Sequence, residues 1–327
     1  MSALPVEIWT QIHAFACTDD GSAGRALSLV SKDWRIISAP FKLQSIALVG
    51  AKPILRFLCI LETTKESLRN VQSLFIGCPN LRLVSRSCSR LDLADEHSRG
   101  LAFTDRLFPE LGITPHTHTV EINTDAIQQA VVRILGRTAG TLRVLHTHLT
   151  FLERPGPLYP IPLRHLRVLV LHGPFRCPPR ISSASASTLP NLRRLRFAPP
   201  PTSPHRGAVL LRTVAAAAPR LSHLCISHTA CTRKELECAL EDTDLRNLTR
   251  LIMEMSTSRR SRSPSPPGNA AASGSEHAKL MRLAQNDGRV RIVREKRWWI
   301  DVQAALIEWE EVDELRWDDR EKWGTND

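Results

Sequence analysis

Apolar residues recur in one spacing: an apolar residue, two others, a second apolar residue, one other, and a third. The copies are Leu43/Ile46/Leu48, Val71/Leu74/Ile76, Leu142/Leu145/Thr147, Leu166/Leu169/Leu171, Leu192/Leu195/Phe197, Leu221/Leu224/Ile226 and Leu248/Leu251/Met253. The copies from Leu142 onward start 24 to 29 residues apart. The second and third positions predict a short strand that points both side chains inward, and the first position joins the same core. A period of this length is typical of stacked repeats.

Several segments between the copies have helical patterns. The predicted helices are Pro53 to Glu62, Asp125 to Arg137, Gly207 to Ala218, and Thr232 to about Glu241. Strands joined by helices and kept in register must be parallel, because antiparallel neighbours need no long crossover. The gap between Val71 and Leu142 has room for two more copies, with candidates at residues 91–93 and 120–122. The sequence therefore predicts an α/β fold: an irregular repeat domain around a parallel sheet, over residues 41–255.

The stretch from Leu4 to Pro40 predicts two or three short helices of its own. Leu4, Ile8, Ile12 and Phe15 share one helical face, Pro5 suits the first turn, and Ser22 is the expected cap of a second helix. The remaining apolar residues are Leu27, Leu29, Val30, Trp34 and Ile37. So short a unit cannot bury all of these side chains. Some must therefore face the following domain or a partner, because large apolar patches are rarely left in water.

The last part of the chain changes character twice. Residues 256–275 are rich in Ser, Arg and Pro without apolar periodicity, which predicts a disordered loop. Ser263 and Ser265, each before a proline and near arginines, are candidate phosphorylation sites, and a plain flexible loop without modification is the simpler interpretation. Residues 276–316 then predict a helix, a last strand at residues 289–293, and a terminal helix that covers the open edge of the stack. An acidic tail follows at residues 317–327.

The charge of the chain is unevenly distributed. The net charge of the 327 residues is +11, although residues 295–327 alone carry −6. A basic body can attract nucleic acid, anionic lipid or an acidic protein. Aromatic residues make up only 5%, and none alternates with a strip of Lys and Arg, so we do not expect nucleic-acid binding. No apolar run approaches the ~20 residues that span a membrane, and no signal peptide is visible. We expect an intracellular protein, in the cytoplasm or nucleus, whose eight cysteines are reduced.

Two histidine-rich patterns can be weighed as metal sites. His223, Cys225, His228, Cys231 and Cys238 lie close in sequence, but Leu224 and Ile226 take the inward positions of that strand. Zinc needs about four converging ligands. The pairs His116/His118 and His146/His148 each share one strand face, and a polar surface is the simpler interpretation. No nucleophile elbow, phosphate-binding loop or dinucleotide fingerprint is present, so we expect no metal, no cofactor and no catalytic site.

The N-terminal pattern resembles the F-box. The resemblance rests on Leu4-Pro5, Glu7-Ile8, Ile12, the run from Leu27 to Lys32, and Trp34-Arg35. The F-box-like segment covers residues 1–40, about an eighth of the chain. It is similar to the F-box-like proteins of mushroom-forming fungi. The following copies resemble degenerate leucine-rich repeats, although they lack the usual Asn or Cys after the strand.

The resemblance implies an interaction protein. Members of the family are substrate-recognition subunits of SCF-type (Skp–cullin–F-box) ubiquitin ligases: the F-box docks on a Skp-type adaptor, and through it on a cullin, while the repeats bind the target protein. Transferred by position, the adaptor contacts are Leu4, Pro5, Ile8, Ile12, Leu29, Val30, Trp34 and Ile37. The alternative is a basic repeat scaffold that binds an acidic protein or RNA without a ligase role.

Overall fold

Eight short strands form one parallel sheet in the computed structural model of the chain. The structure describes residues 4–18, 21–78, 124–149, 161–172, 188–198, 207–227, 233–241, 247–255, 280–294 and 305–306. The strands are β1 (Ser45–Val49), β2 (Ser73–Cys78), β3 (Val144–Leu149), β4 (Val168–His172), β5 (Arg194–Ala198), β6 (His223–Ser227), β7 (Arg250–Met255) and β8 (Val290–Arg294). Their order in the sheet is their order in the sequence.

Three helices precede the sheet and others join its strands. The first group is α1 (Val6–Ala16), α2 (Ser22–Val30) and α3 (Lys32–Ser38). The second is α4 (Ala51–Thr63), α5 (Thr124–Thr138), α6 (Gly207–Ala217) and α7 (Arg233–Glu241), with a 3-10 turn at Glu66–Leu68 and helical residues at 280–286. The four predicted crossover helices are thus confirmed to within two residues where they are described. None of the described helices is long and apolar enough to cross a membrane.

The register of the sheet confirms the apolar motif. Its second positions lie side by side across the sheet: Ile46, Leu74, Leu145, Leu169, Leu195, Leu224 and Leu251, with Val290 on β8. The third positions form a parallel row from Leu48 to Met253, continued by Ile292. Both rows face one core, which also holds the apolar faces of α4, α5, α6 and α7. Because side chains alternate along a strand, the residues between these positions occupy the opposite side, here called the outer face.

A ladder of hydrogen bonds joins the strand starts. The backbone N–H before each strand donates to the carbonyl of the corresponding residue one copy earlier: Arg167 to Arg143 (2.8 Å), Arg193 to Arg167 (2.9 Å), Ser222 to Arg193 (2.9 Å) and Thr249 to Ser222 (2.9 Å). Each copy therefore satisfies the polar backbone of its neighbour, so the strand starts continue the pairing of the sheet.

Strands β2 and β3 pair directly, with Ser73 beside Val144. No further strand separates them in the sheet, so the two extra copies predicted between Val71 and Leu142 do not stand there. Their candidates, residues 91–93 and 120–122, lie outside the described residues. So do the predicted disordered loop, with Ser263 and Ser265, and the acidic tail.

The C-terminal helix differs from its prediction. Its two described residues, Ala305 and Leu306, do not lie at the open edge strand β8. Ala305 is buried against Phe75, and Ala47 and Val49 pack around the pair. These partners belong to the outer face of β1 and β2, at the other end of the sheet. An edge offers mainly backbone groups, whereas Phe75 offers a large apolar side chain, which explains the preference.

Candidate functional site

The apolar stripe of α1 faces away from the protein. Leu4, Ile8, Ile12 and Phe15 lie on one side of the helix, as their spacing predicts. Ile8 and Ile12 are each 41% exposed, Leu4 is 48% exposed, and Phe15 is 80% exposed. Burying such side chains is worth about 1.5–3 kcal/mol each. Covering the exposed stripe with the apolar surface of a partner would therefore be favourable in free energy.

The inner side of α1 is made of aromatic rings instead. Trp9 and His13 both contact Trp34 of α3, with ring centroids 5.0 Å apart in each pair. His13 is fully buried, and this burial lowers the pKa of its imidazole. Cys17, one turn further, is also buried. These rings hold α1 against α3, so the aliphatic stripe is not needed for packing.

Helices α2 and α3 add more exposed apolar side chains. Leu29 is 78%, Val30 64% and Ile36 72% exposed. The turn between the helices is fixed by Ser31, whose hydroxyl accepts a hydrogen bond from the Trp34 N–H at 3.1 Å. This cap sets the direction of α3 relative to α2.

The second helix begins differently from the prediction. Gly21, not Ser22, is the N-cap residue, and it makes no side-chain cap hydrogen bond. Its φ of +90° suits glycine, and a Cβ there would lie 2.9 Å from the Ser45 carbonyl oxygen. A side chain that could cap the helix is therefore excluded by the close approach to β1.

The helices are joined directly to the sheet. The Gln44 side chain donates from Nε2 to the Ala14 carbonyl at 3.1 Å, linking α1 to the residue before β1. A Cβ on Gly24 would lie 3.1 Å from Lys42 Cα, so α2 also approaches this connection closely. The inner side of the helices thus rests on the first strand, and the apolar stripe points away from these contacts.

The predicted adaptor contacts fall into two groups. Leu4, Pro5, Ile8, Ile12, Leu29 and Val30 are exposed, whereas Trp34 and Ile37 are half-buried. Trp34 serves mainly as the internal contact of Trp9 and His13. Three further apolar residues outside the predicted set are exposed: Val6, Phe15 and Ile36. The sequence indicated Phe15 through its helical spacing from Ile8 and Ile12. Val6 and Ile36 lie off that stripe, so no spacing pattern indicated that they are exposed.

The outer face of the sheet holds a second unusual cluster. His146 and His148 of β3 and His172 of β4 are buried, with at most 1% exposed. Ring centroids are 5.2 Å apart for His146–His172 and 5.4 Å for His148–His172, and Phe75 meets His146 edge-on at 5.0 Å. The predicted polar surface at His146/His148 is therefore wrong. Val168 and Val170 beside them are buried too, so this end of the outer face is interior.

Two of these imidazoles, those of His146 and His172, are kept neutral by their surroundings. Burial lowers the pKa of His146 and His172 well below the usual range, and the positive charge of Arg196 on β5 lowers both further. Within the described part of the chain, neither ring nitrogen of His146 has a hydrogen-bond partner. Ring contacts with Phe75 and His172 surround the His146 imidazole.

Nothing described here forms a metal site. Leu224 and Ile226 point into the core as predicted, which leaves His223 and Cys225 on the outer face. His223 Nδ1 lies 2.8 Å from Ser222 Oγ, while Cys225 is buried and Cys238 is exposed on α7. His116, His118, His228 and Cys231 lie outside the described residues. Among the residues that are described, no three His, Cys, Asp or Glu side chains are placed to hold a metal ion.

Comparison of the chain with protein-family models and with the curated proteins gives no match.

Proposed function

We propose that this chain is the substrate-recognition subunit of an SCF-type ubiquitin ligase, with α1–α3 as an F-box-like adaptor-docking unit. The observation that carries the proposal is the outward apolar stripe of α1. Large exposed apolar patches mark interaction sites. A three-helix unit without a partner would be expected to bury such a stripe instead. Here aromatic side chains take over the internal packing, and the aliphatic residues stay available for a Skp-type adaptor.

The remainder of the chain is proposed to be an irregular leucine-rich-repeat-like solenoid that binds the target protein. Three features support this interpretation: strands in sequence order, aligned apolar rows, and hydrogen bonds between corresponding residues of successive copies. In repeat proteins each unit contacts only its neighbours, which gives a long continuous surface. The proposed intracellular setting, in the cytoplasm or nucleus, follows from the same role.

The proposed contribution to ubiquitin transfer is proximity. A receptor that holds adaptor and target together raises the effective concentration of target lysines near the conjugating enzyme. No group on this chain need react for that purpose. We therefore assign it no catalytic residues and no cofactor.

The test is co-purification with a Skp-type adaptor. We expect Ile8→Asp combined with Val30→Asp to abolish adaptor recovery, because buried unpaired carboxylates oppose the contact. The matched control is Ile60→Asp on α4, which is 47% exposed and lies outside the docking helices. It should retain the adaptor. If the double variant recovers as much adaptor as the unaltered chain, the proposal is wrong, and a scaffold without a ligase role becomes the better interpretation.

A further inference from the structure

Arginines collect along the edge of the sheet where its strands begin. The described connections into β3, β4, β5 and β6 are residues 139–143, 161–167, 188–193 and 218–222. Together they contain Arg143, Arg164, Arg167, Arg193 and Arg220, and no Asp or Glu. We call these five residues the arginine edge. Their like charges repel one another, so an anion that covers several of them is favoured.

Three of the arginines occupy one repeated position. Arg143, Arg167 and Arg193 each follow the first leucine of the motif, and all three are exposed. Their backbones are joined in the hydrogen-bond ladder, Arg167 to Arg143 at 2.8 Å and Arg193 to Arg167 at 2.9 Å. Neighbouring strands lie ~4.8 Å apart, so the row is about 10 Å long. The sheet thus holds the bases of three cationic side chains at a fixed spacing.

A pair of side-chain hydrogen bonds extends the row. Arg220 donates from Nη1 to Asn191 Oδ1 at 3.0 Å, and Asn191 donates from Nδ2 to the Arg164 carbonyl at 2.7 Å. Asn191 lies two residues before Arg193. Arg220 and Arg164 are therefore tied to the same edge on either side of it.

We propose that the arginine edge binds an acidic segment of a partner protein. Guanidinium groups pair with carboxylates through two parallel hydrogen bonds, and an extended peptide presents same-side carboxylates about every 7 Å. Single-stranded nucleic acid is less suited, because such sites also stack bases on aromatic rings. These four connections contain no Phe, Trp or Tyr. Binding of an acidic segment to the arginine edge does not depend on adaptor docking. Only the further statement that this partner is a target of the ligase rests on the proposed function.

The test uses the full chain and a fluorescein-labelled peptide of alternating glutamate and serine, followed by fluorescence anisotropy. We expect Arg143→Gln/Arg167→Gln/Arg193→Gln to weaken binding at least about tenfold at physiological salt. The control triple, Arg25→Gln/Arg212→Gln/Arg282→Gln, makes the same change in net charge at exposed positions away from the edge. It should retain affinity within about twofold.

Two results would overturn the proposal. One is an equal loss of binding in both triple variants, which would mean general charge attraction. The other is tighter, edge-dependent binding of an oligonucleotide with the same number of charges, which would make the edge a nucleic-acid surface. If the variant Arg143→Gln/Arg167→Gln/Arg193→Gln fails to fold, the double variant Arg143→Gln/Arg193→Gln takes its place. The same assay then distinguishes the same outcomes.

Discussion

The sheet and the N-terminal helices use the same aliphatic side chains in opposite ways. Leu74 of β2 is fully buried between Ile46 and Leu145, whereas Ile8 of α1 has 41% of its surface exposed. In the sheet, aliphatic rows form the core. In α1–α3, Trp9, His13 and Trp34 pack against one another, with His13 fully buried, while Leu4, Ile8, Ile12, Leu29 and Val30 are exposed. Apolar character thus contributes to folding in one region and is available for binding in the other.

The largest expected effect is the difference in stability between two variants, Leu74→Ala in the sheet and Ile8→Ala in α1. We expect Leu74→Ala to lower the free energy of unfolding by about 2–5 kcal/mol, because it leaves a cavity in a packed core. Ile8→Ala should change it by no more than about 0.5 kcal/mol, since that side chain is exposed. Urea denaturation of both variants measures the difference. Equal losses would mean that α1 packs its aliphatic face after all.

The buried histidines predict a pH dependence of stability. The pKa values of His146 and His172 are lowered in the folded protein, so the unfolded chain binds more protons as the pH falls through about 6.5. Stability should therefore fall from pH 7 towards pH 5, by up to about 1.4 kcal/mol per pH unit for each group.

The matched comparison replaces histidines in both environments. His146→Leu/His172→Leu should flatten the pH dependence, and His165→Leu at an exposed position is the matched control. Thermal melts at several pH values measure this. An undiminished slope in the double variant would show that the cluster is not its source.

The one polar residue in the apolar rows offers a stabilising change. Thr147 takes the third motif position on β3, between Ile76 and Leu171, and is fully buried. Its hydroxyl has no hydrogen-bond partner within the described part of the chain. We expect Thr147→Val to raise the free energy of unfolding by about 1 kcal/mol, because it removes a buried unsatisfied group at similar volume. Thr147→Ser, which keeps the hydroxyl and loses a methyl group, should destabilise instead.

A smaller effect is expected at the turn between α2 and α3. Ser31→Ala removes the cap on the Trp34 N–H and should cost about 1 kcal/mol. Ser31→Asp keeps an acceptor and is the control. Amide hydrogen exchange of α3 measures the effect locally, and unchanged exchange in Ser31→Ala would show that the cap is dispensable.

The sequence predicted the sheet well because its signal is local. Each motif fixes three inward positions, and register follows once the copies are aligned. The burial of His146 and His148 could not be predicted in this way. Alternation assigns them to the outer face, but whether that face is solvated depends on distant parts of the fold. The position of Ala305 on Phe75 is equally non-local, since no pattern links residues so far apart.

The candidate site, likewise, was predicted only in part from the sequence. Spacing grouped Leu4, Ile8, Ile12 and Phe15 correctly, and the small size of the unit implied that some apolar side chains remain exposed. Which face of α1 points outward required the positions of Trp9 and His13. A helix with an aliphatic stripe normally turns it inward, so only the packing of the aromatic rings on Trp34 reveals the inversion.

The most direct test is the affinity of the purified full chain for a Skp-type adaptor, measured by calorimetry alongside the melting temperature. For Ile8→Asp/Ile12→Asp we predict an affinity loss of about 100-fold or more with an unchanged melting temperature, because under the proposed function the stripe binds the adaptor and does not support the fold. A variant that binds the adaptor as tightly as the unaltered chain would contradict this. So would an unaltered chain that does not bind the adaptor.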